Sequence, residues 1–187
     1  MRIVGGRHRG RRLVGPADRR IRPTADRARQ ALFDLLAHGP YGTEKGPAPR
    51  GQAVLDAFAG SGALGLEALS RGARQVTFLE TDREALRLIV RNAASIARAG
   101  EIAVLNRDAT QPGRAPLAHD LALLDPPYGS GLAASALAAL AAAGWLTADA
   151  IAVTELGRDE AFEPPAGFAA VDERGYGAAR LVILRRG

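Results

Sequence analysis

The chain has 187 residues, 47% of them hydrophobic and 24% charged, enough apolar material for one domain with its own core. It contains no cysteine, which excludes disulfides, thiolate metal sites and cysteine nucleophiles. No apolar run approaches the ~20 residues that span a bilayer. Met1–Gly10 carries arginines with no apolar stretch behind them, so we expect no secretory signal and a cytoplasmic protein. The net charge is +5, unevenly placed: residues 1–30 hold ten arginines against Asp18 and Asp26, a balance of +8, and the remainder carries −3. A cationic end on a mildly acidic body points to a polyanionic partner, since clustered cations gain affinity by counterion release; a merely solvated arm is the alternative.

In chain order, Arg2–Val4 and Arg11–Val14 read as short extended pieces around Gly5, Gly6 and Gly10, a β-hairpin arm. Pro23 holds Arg22 extended, and Thr24 is a plausible N-cap for a helix to about Ala37, with apolar residues at 28, 31, 32, 35 and 36. Gly39–Gln52, rich in glycine and proline, is the one clear linker. The pattern then alternates. Ala53–Ala57 is a strand, Leu64–Arg71 a helix, Gln75–Glu80 a strand, Asp82–Arg98 a helix, Ile102–Asn106 and Leu121–Leu124 strands, Leu132–Ala143 a helix and Ile151–Glu155 a strand. Ala169–Glu173 and Ala179–Arg185 flank Gly175-Tyr176-Gly177 as an antiparallel hairpin. Such alternation predicts an α/β, doubly wound, mostly parallel sheet.

The first strand runs into Asp56-Ala57-Phe58-Ala59-Gly60-Ser61-Gly62-Ala63-Leu64-Gly65. Gly60, Gly62 and Gly65 satisfy G-x-G-x-x-G between a strand and a helix, and Glu80 lies 20 residues on, where a carboxylate meets ribose hydroxyls. A nicotinamide dinucleotide is admissible on this motif alone, as is a turn whose glycines serve packing. Asp56 argues against the dinucleotide, because a carboxylate at the mouth of the turn opposes a pyrophosphate. S-adenosylmethionine, with an ammonium, a sulfonium and no phosphate, fits the acids better. Asp108 falls where an adenine amine needs an acceptor, or is simply a turn residue.

Leu121–Leu124 leads straight into Asp125-Pro126-Pro127-Tyr128, the most specific signal in the chain. Two prolines make a rigid extended corner without amide donors, and its carbonyls stay free to accept. Asp125 and the Pro126 carbonyl can hold one exocyclic NH2 group, and Tyr128 offers a face for a base to stack on. Methyl transfer from a sulfonium then depends on positioning and electrostatics.

This corner downstream of Asp-x-Phe-x-Gly-x-Gly resembles the amino-methyltransferases that act on exocyclic nitrogens of bases. More closely, the chain resembles the RsmD family of bacterial 16S rRNA guanine-N2 methyltransferases. The resemblance is carried by Arg2–Gly6, Arg9–Arg11, Arg22–Arg27, Leu55–Arg71 and Asp125–Tyr128, with Gly144–Leu146 a weaker echo. It implies a Rossmann-like, seven-stranded methyltransferase sheet over residues 23–187 and a basic hairpin arm over residues 1–22. It also implies S-adenosylmethionine as donor, held by Asp56, Phe58, Gly60, Gly62, Glu80, Asp108 and Ala109, with Arg22 and Thr24 at its carboxylate end. Asp125, Pro126 and Tyr128 would be catalytic, and Arg7, Arg9, Arg11 and Arg12 would grip phosphates of 16S rRNA, within the 30S subunit or its assembly intermediates. A monomer is expected. An adenine-N6 DNA methyltransferase uses the same corner and stands as the nearer alternative, a nicotinamide oxidoreductase as the distant one.

The remaining features read as bland. His8, His38 and His119 lack metal-ligand spacing, so no metal site is expected. Arg83, Arg87 and Arg91 recur every four residues, as a solvated face or an accessory RNA contact. Glu155, at the end of a late strand, could approach the pocket but reads first as structural, and Trp145 reads as core.

Overall fold

A computed structural model describes residues 1–15, 24–44 and 46–187, with Thr24 and Ala25 by backbone alone. Seven strands form one sheet: β1 (Ala53–Ala57), β2 (Gln75–Glu80), β3 (Ile102–Asn106), β4 (His119–Leu124), β5 (Leu146–Gly157), β6 (Phe168–Tyr176) and β7 (Ala179–Arg186), in the order β3-β2-β1-β4-β5-β7-β6. The first five run parallel and β7 is antiparallel to both its neighbours. Every residue of β1 is buried, as a central parallel strand covered on both faces must be. One face packs under α1 (Thr24–His38), α2 (Ala63–Ser70) and α3 (Arg83–Ala93), with Phe33, Leu66, Phe78 and Ile89 fully buried. The other carries α4 (Leu132–Ala142) and Trp145.

Three elements differ from the sequence expectation. The helix expected to reach Arg98 ends at Ala93, because Ile96 turns into the core and the chain leaves helical geometry to deliver it. β5 begins five residues early, where Leu146 pairs with His119 across a register shift; the alternation Leu146-Thr147-Ala148-Asp149-Ala150 is the sequence signal that the expected start at Ile151 passed over. The N-terminal pieces form no extended strands. They pair through a single Arg2–Arg12 bridge and hydrogen bonds from Ile3 N to Arg11 O (2.9 Å) and Leu13 N to Met1 O (3.1 Å), closed by a 3-10 turn at Gly6–His8.

This ribbon is fastened to the sheet's helices. Glu67, fully buried in α2, accepts from Val4 N and Gly5 N (both 2.8 Å) and from Arg71 Nε (2.7 Å), and lies 3.6 Å from the buried Arg29 of α1. Arg29 also donates to Arg2 O and Asp26 Oδ1. Ile3 and Leu13 enter the core beneath, and Asn92 bonds Val14 at both N and O and reaches Ser61 O (3.0 Å). Removing the carboxylate leaves two guanidinium groups without their shared partner in a desolvated place. Glu67→Ala is therefore expected to lower unfolding free energy by about 3–5 kcal/mol in urea titration, with residues 1–15 gaining early proteolytic cleavage.

Candidate active site

The strand order reverses between β1 and β4, and there a cavity of about 980 Å3 opens beyond the carboxyl ends of the strands. It is large enough for a nucleoside-sized ligand together with a second base. Phe58, Leu79, Ala109 and Leu132 supply apolar walls, and Glu80, Asp108, Asp125 and Glu155 line it as carboxylates. Among the described residues two arginines line it: Arg29 is paired with Glu67 and Asp26, and Arg107 donates to the carbonyls of Pro112 (2.8 Å) and Arg114 (3.1 Å) and keeps its charge, leaving four acidic side chains against it. Such a lining favours a cationic ligand and opposes a pyrophosphate.

The glycine turn is built from left-handed residues. Phe58, Gly60 and Gly62 have φ of 61°, 53° and 78°; Phe58 bears this conformation with a side chain, at a cost of order 1–3 kcal/mol, and lines the cavity. Gly60 N donates to Glu80 Oε2 (2.8 Å), while Glu80 Oε1 accepts from the amides of Thr81 and Asp82, so the acid 20 residues downstream is locked to the turn. Gly65 lets α2 settle on β2. A methyl group there would sit 2.4 Å from Phe78 Cε1 and 2.7 Å from Val76 Cγ1.

Asp56 lies behind the cavity wall. It is buried, and its Oδ2 accepts from Gly65 N (2.8 Å), giving the first turn of α2 an acceptor that Gly62, at the N-cap, has no side chain to supply. Its Oδ1 is buried without a partner. Burial drives its carboxyl well above the usual range, the Gly65 bond opposes this, and Asp125 and Glu80 add to it. Gly60 and Gly62 shape the turn without lining the cavity, whereas Phe58, Glu80, Asp108 and Ala109 line it. Asp108 Oδ1 accepts from Thr110 N and Oγ1. Arg22 and the side chain of Thr24 lie outside the described residues.

The proline corner stands at the mouth. β4 carries Asp125 past its last paired residue, and Asp125, Pro126, Pro127 and Tyr128 all border the cavity. Asp125 is reached by solvent through the cavity, yet protein crowds it on most sides. That desolvation, with the charge of Glu155, raises its carboxyl to about 7. The Tyr128 hydroxyl donates to Glu155, and the tyrosine ring is exposed. Glu160 braces the turn that follows: amides of Gly129, Gly157 and Gly131 hold its carboxyl below the ordinary range.

Of the two sequence readings of Glu155, structural first and pocket second, the fold favours the second: it lines the cavity, one residue beyond the Leu124–Thr154 pair of β4 and β5. Arg107, Leu132 and the turn Tyr176–Ala179 also contribute walls and are marked by no sequence motif. The glycines around Tyr176 signal a turn, though nothing in their spacing says where it docks. His119 and Trp145 are core, stacked at 5.8 Å; His119 Nδ1 bonds Trp145 O and Nε2 bonds Thr77 Oγ1. Arg9, Arg11 and Arg12 are exposed, as are Arg83, Arg87 and Arg91. Arg7 pairs with Glu101 (2.9 Å) and Arg11 donates to Ser95 Oγ. The turn carrying Arg7 and Arg9 thus lies by Ser70 and Glu101, at the sheet edge opposite the cavity.

A mostly parallel Rossmann-like sheet, with an acid-lined cavity at its switch point and an Asp-Pro-Pro-Tyr corner on the rim, defines a methyltransferase. The comparisons agree and are specific. The chain belongs to the family described as Conserved hypothetical protein 95, whose model matches residues 1–185. It is 39% identical over 159 residues to ribosomal RNA small subunit methyltransferase D of Escherichia coli strain K12, covering 83% of this chain and 74% of that protein. It is 34% identical over 182 residues to the protein of that name from Haemophilus influenzae, covering 95% and 89%. Among solved structures, a putative methyltransferase yhhF from Escherichia coli superposes with TM-score 0.81 at 35% identity, covering 100% of this chain and 97% of that one. The RsmD-type resemblance and the fold expected from it therefore hold.

Because Phe78 and Val76 must both yield to an added methyl, Gly65→Ala is expected to cost about 1–3 kcal/mol in urea denaturation, and a Phe78→Leu second change to recover part of it.

Proposed function

We propose that this protein transfers the methyl group of S-adenosylmethionine to the exocyclic N2 amine of a guanine in 16S rRNA, in the cytoplasm, on the 30S subunit or its precursors. The observation that carries the reading is the proline corner at the mouth of a cavity lined, among the described residues, by four acidic side chains against one cation without a carboxylate partner, Arg107. The residues fit this donor. Glu80 and Asp108 supply acceptors for ribose and adenine, Phe58, Leu79 and Ala109 supply apolar walls, and the surplus of negative charge favours a cation. Asp56 serves through the turn it braces. When bound, S-adenosylmethionine supplies an electrophilic methyl on a sulfonium sulfur.

The chain's own residues do the rest. Asp125 and the Pro126 carbonyl accept the two N2 hydrogens, which turns the nitrogen lone pair out of the ring's conjugation and toward the methyl. Tyr128 stacks on the base. As the N–C bond forms, the C–S electron pair stays on sulfur, and the extra proton on nitrogen passes to the Asp125 carboxylate. No metal and no enzyme-bound intermediate is required.

The basic arm, residues 1–22, contacts RNA through Arg7, Arg9, Arg11 and Arg12, with the rest, 23–187, as the methyltransferase domain. Its turn lies a strand's length from the cavity, roughly 17–20 Å, so the substrate must be a folded RNA large enough to cover the α2–α3 face. This observation favours rRNA over a short single strand.

Asp125→Asn is expected to lower methyl incorporation into undermethylated 30S particles by at least about 100-fold, while calorimetry shows donor affinity changed less than about threefold. Normal turnover by this variant would remove the corner from the mechanism. Asp125 must be ionised to accept, and its carboxyl stands raised to about 7. In the free enzyme kcat/KM is therefore expected to fall as pH drops below about 7 and to level off above it. Neutralising Arg9, Arg11 and Arg12 is expected to reduce the salt slope of RNA binding by roughly 0.7–0.9 for each phosphate no longer neutralised, with donor affinity held.

A further inference from the structure

Asp125 lies just past β4 and Glu155 within the neighbouring parallel β5, each one residue past the Leu124–Thr154 pair. Among the described residues neither carboxylate makes a salt bridge. Two facing carboxylates without a cation are costly to keep, and a ligand edge rich in N–H donors relieves that cost. The Tyr128 hydroxyl, donated to Glu155, fixes one carboxylate oxygen and leaves the other lone pairs toward the cavity. The same bond ties the stacking ring to the carboxylate, so base plane and acceptor are set together.

The nucleobases differ in what adjoins their exocyclic amine. In guanine the N2 amine stands beside N1–H, a second donor. In adenine the N6 amine stands beside N1, and in cytosine the N4 amine stands beside N3, both bare acceptors. If Asp125 and the Pro126 carbonyl take up the amine hydrogens, the next acceptor along the rim is Glu155. Resting on the methyl-transfer reading above, we propose that Glu155 is the base-selecting residue of this site: held by the Tyr128 hydroxyl, its carboxylate accepts the N1–H of guanine and repels the ring-nitrogen lone pair of adenine or cytosine.

A site built to accept a particular N–H rejects analogues lacking it far more strongly than an apolar pocket rejects a missing methylene. Adenine and guanine present the same NH2 group to Asp125 and Pro126, so those two acceptors leave the choice of base open. Glu155 closes it. The strand register places this acid at the corner irrespective of its separation of 30 residues from Asp125 in sequence.

The test changes the edge of the base beside its amine. Mass spectrometry of methylated rRNA first locates the target; splint-ligated 16S rRNA, assembled into 30S particles, then carries guanine or 2-aminopurine at that position. 2-Aminopurine keeps the N2 amine, replaces N1–H by a bare nitrogen and lacks O6; the O6 loss is common to wild type and variant, so the change in preference on Glu155 substitution isolates the N1 contact. The full-length enzyme is expected to prefer guanine by at least about 100-fold in kcat/KM. Glu155→Gln, whose amide can donate as well as accept, is expected to narrow that preference at least tenfold, with rates on 2-aminopurine equal to or above wild type. Tyr128→Phe is expected to slow both bases while keeping most of the preference. Donor calorimetry and thermal melting on each variant establish that it is folded and loaded. A Glu155→Gln enzyme with the wild-type preference overturns the assignment. So does equal loss from Glu155→Gln on both bases, matched by Tyr128→Phe, which would make Glu155 only a brace for the ring. If wild type instead methylates no guanine N2 in any particle, the underlying reading has failed, and this assignment with it.

Discussion

The parallel register of β1, β4 and β5 is the constraint on which the site depends. Ala57 lies opposite Leu124, and Leu124 opposite Thr154, so the glycine turn and the proline corner leave the sheet side by side, next to Glu155 of β5. Parallel strands require long crossovers, and those crossovers are what separate Phe58, Asp125 and Glu155 so widely in sequence. A slip of one residue would exchange the side chains packed beneath α1–α3 with those packed against α4, and two filled faces of different shape do not accept that exchange. The geometry of the acids is thus inherited from the packing of Leu55, Leu123 and Val153.

A second layer of control comes from the buried Glu67. Through Val4, Gly5, Arg29 and Arg71 it joins the N-terminal ribbon, α1 and α2. α1 in turn supplies Ala28, Arg29 and Leu32 to the cavity wall. Hence the cationic ribbon is neither loose nor remote in its effects: the chemistry that docks it also positions one side of the ligand space. Its exposed arginines remain available on the outside, while Ile3 and Leu13 are core.

Asp56 illustrates how a correct pattern can carry a different cause. The acid beside the glycine turn argues against a phosphate ligand in any position nearby. In the folded protein, however, its carboxylate bonds the amide of Gly65 and is screened from the cavity. The negative character of the cavity comes chiefly from Glu80, Asp108, Asp125 and Glu155.

Strand and helix periods, the two glycine and proline punctuations and the charge asymmetry of the first 30 residues were all local properties, and they sufficed for the sheet's composition, the switch-point turn and the corner at Asp125. β1 and β2 coincide with their apolar runs because central parallel strands are apolar on both faces, which leaves no ambiguity of face; β3, the half-buried edge strand, is bounded by the turns on either side of its apolar run. The early end of α3 and the docking of the ribbon on Glu67 were decided by partners remote in the chain, and no local pattern encodes a partner. The same holds for Glu155, which is an ordinary strand-end acid until β4 and β5 align and set it against Asp125 and Tyr128. Proximity between residues 30 apart exists only once the sheet has formed.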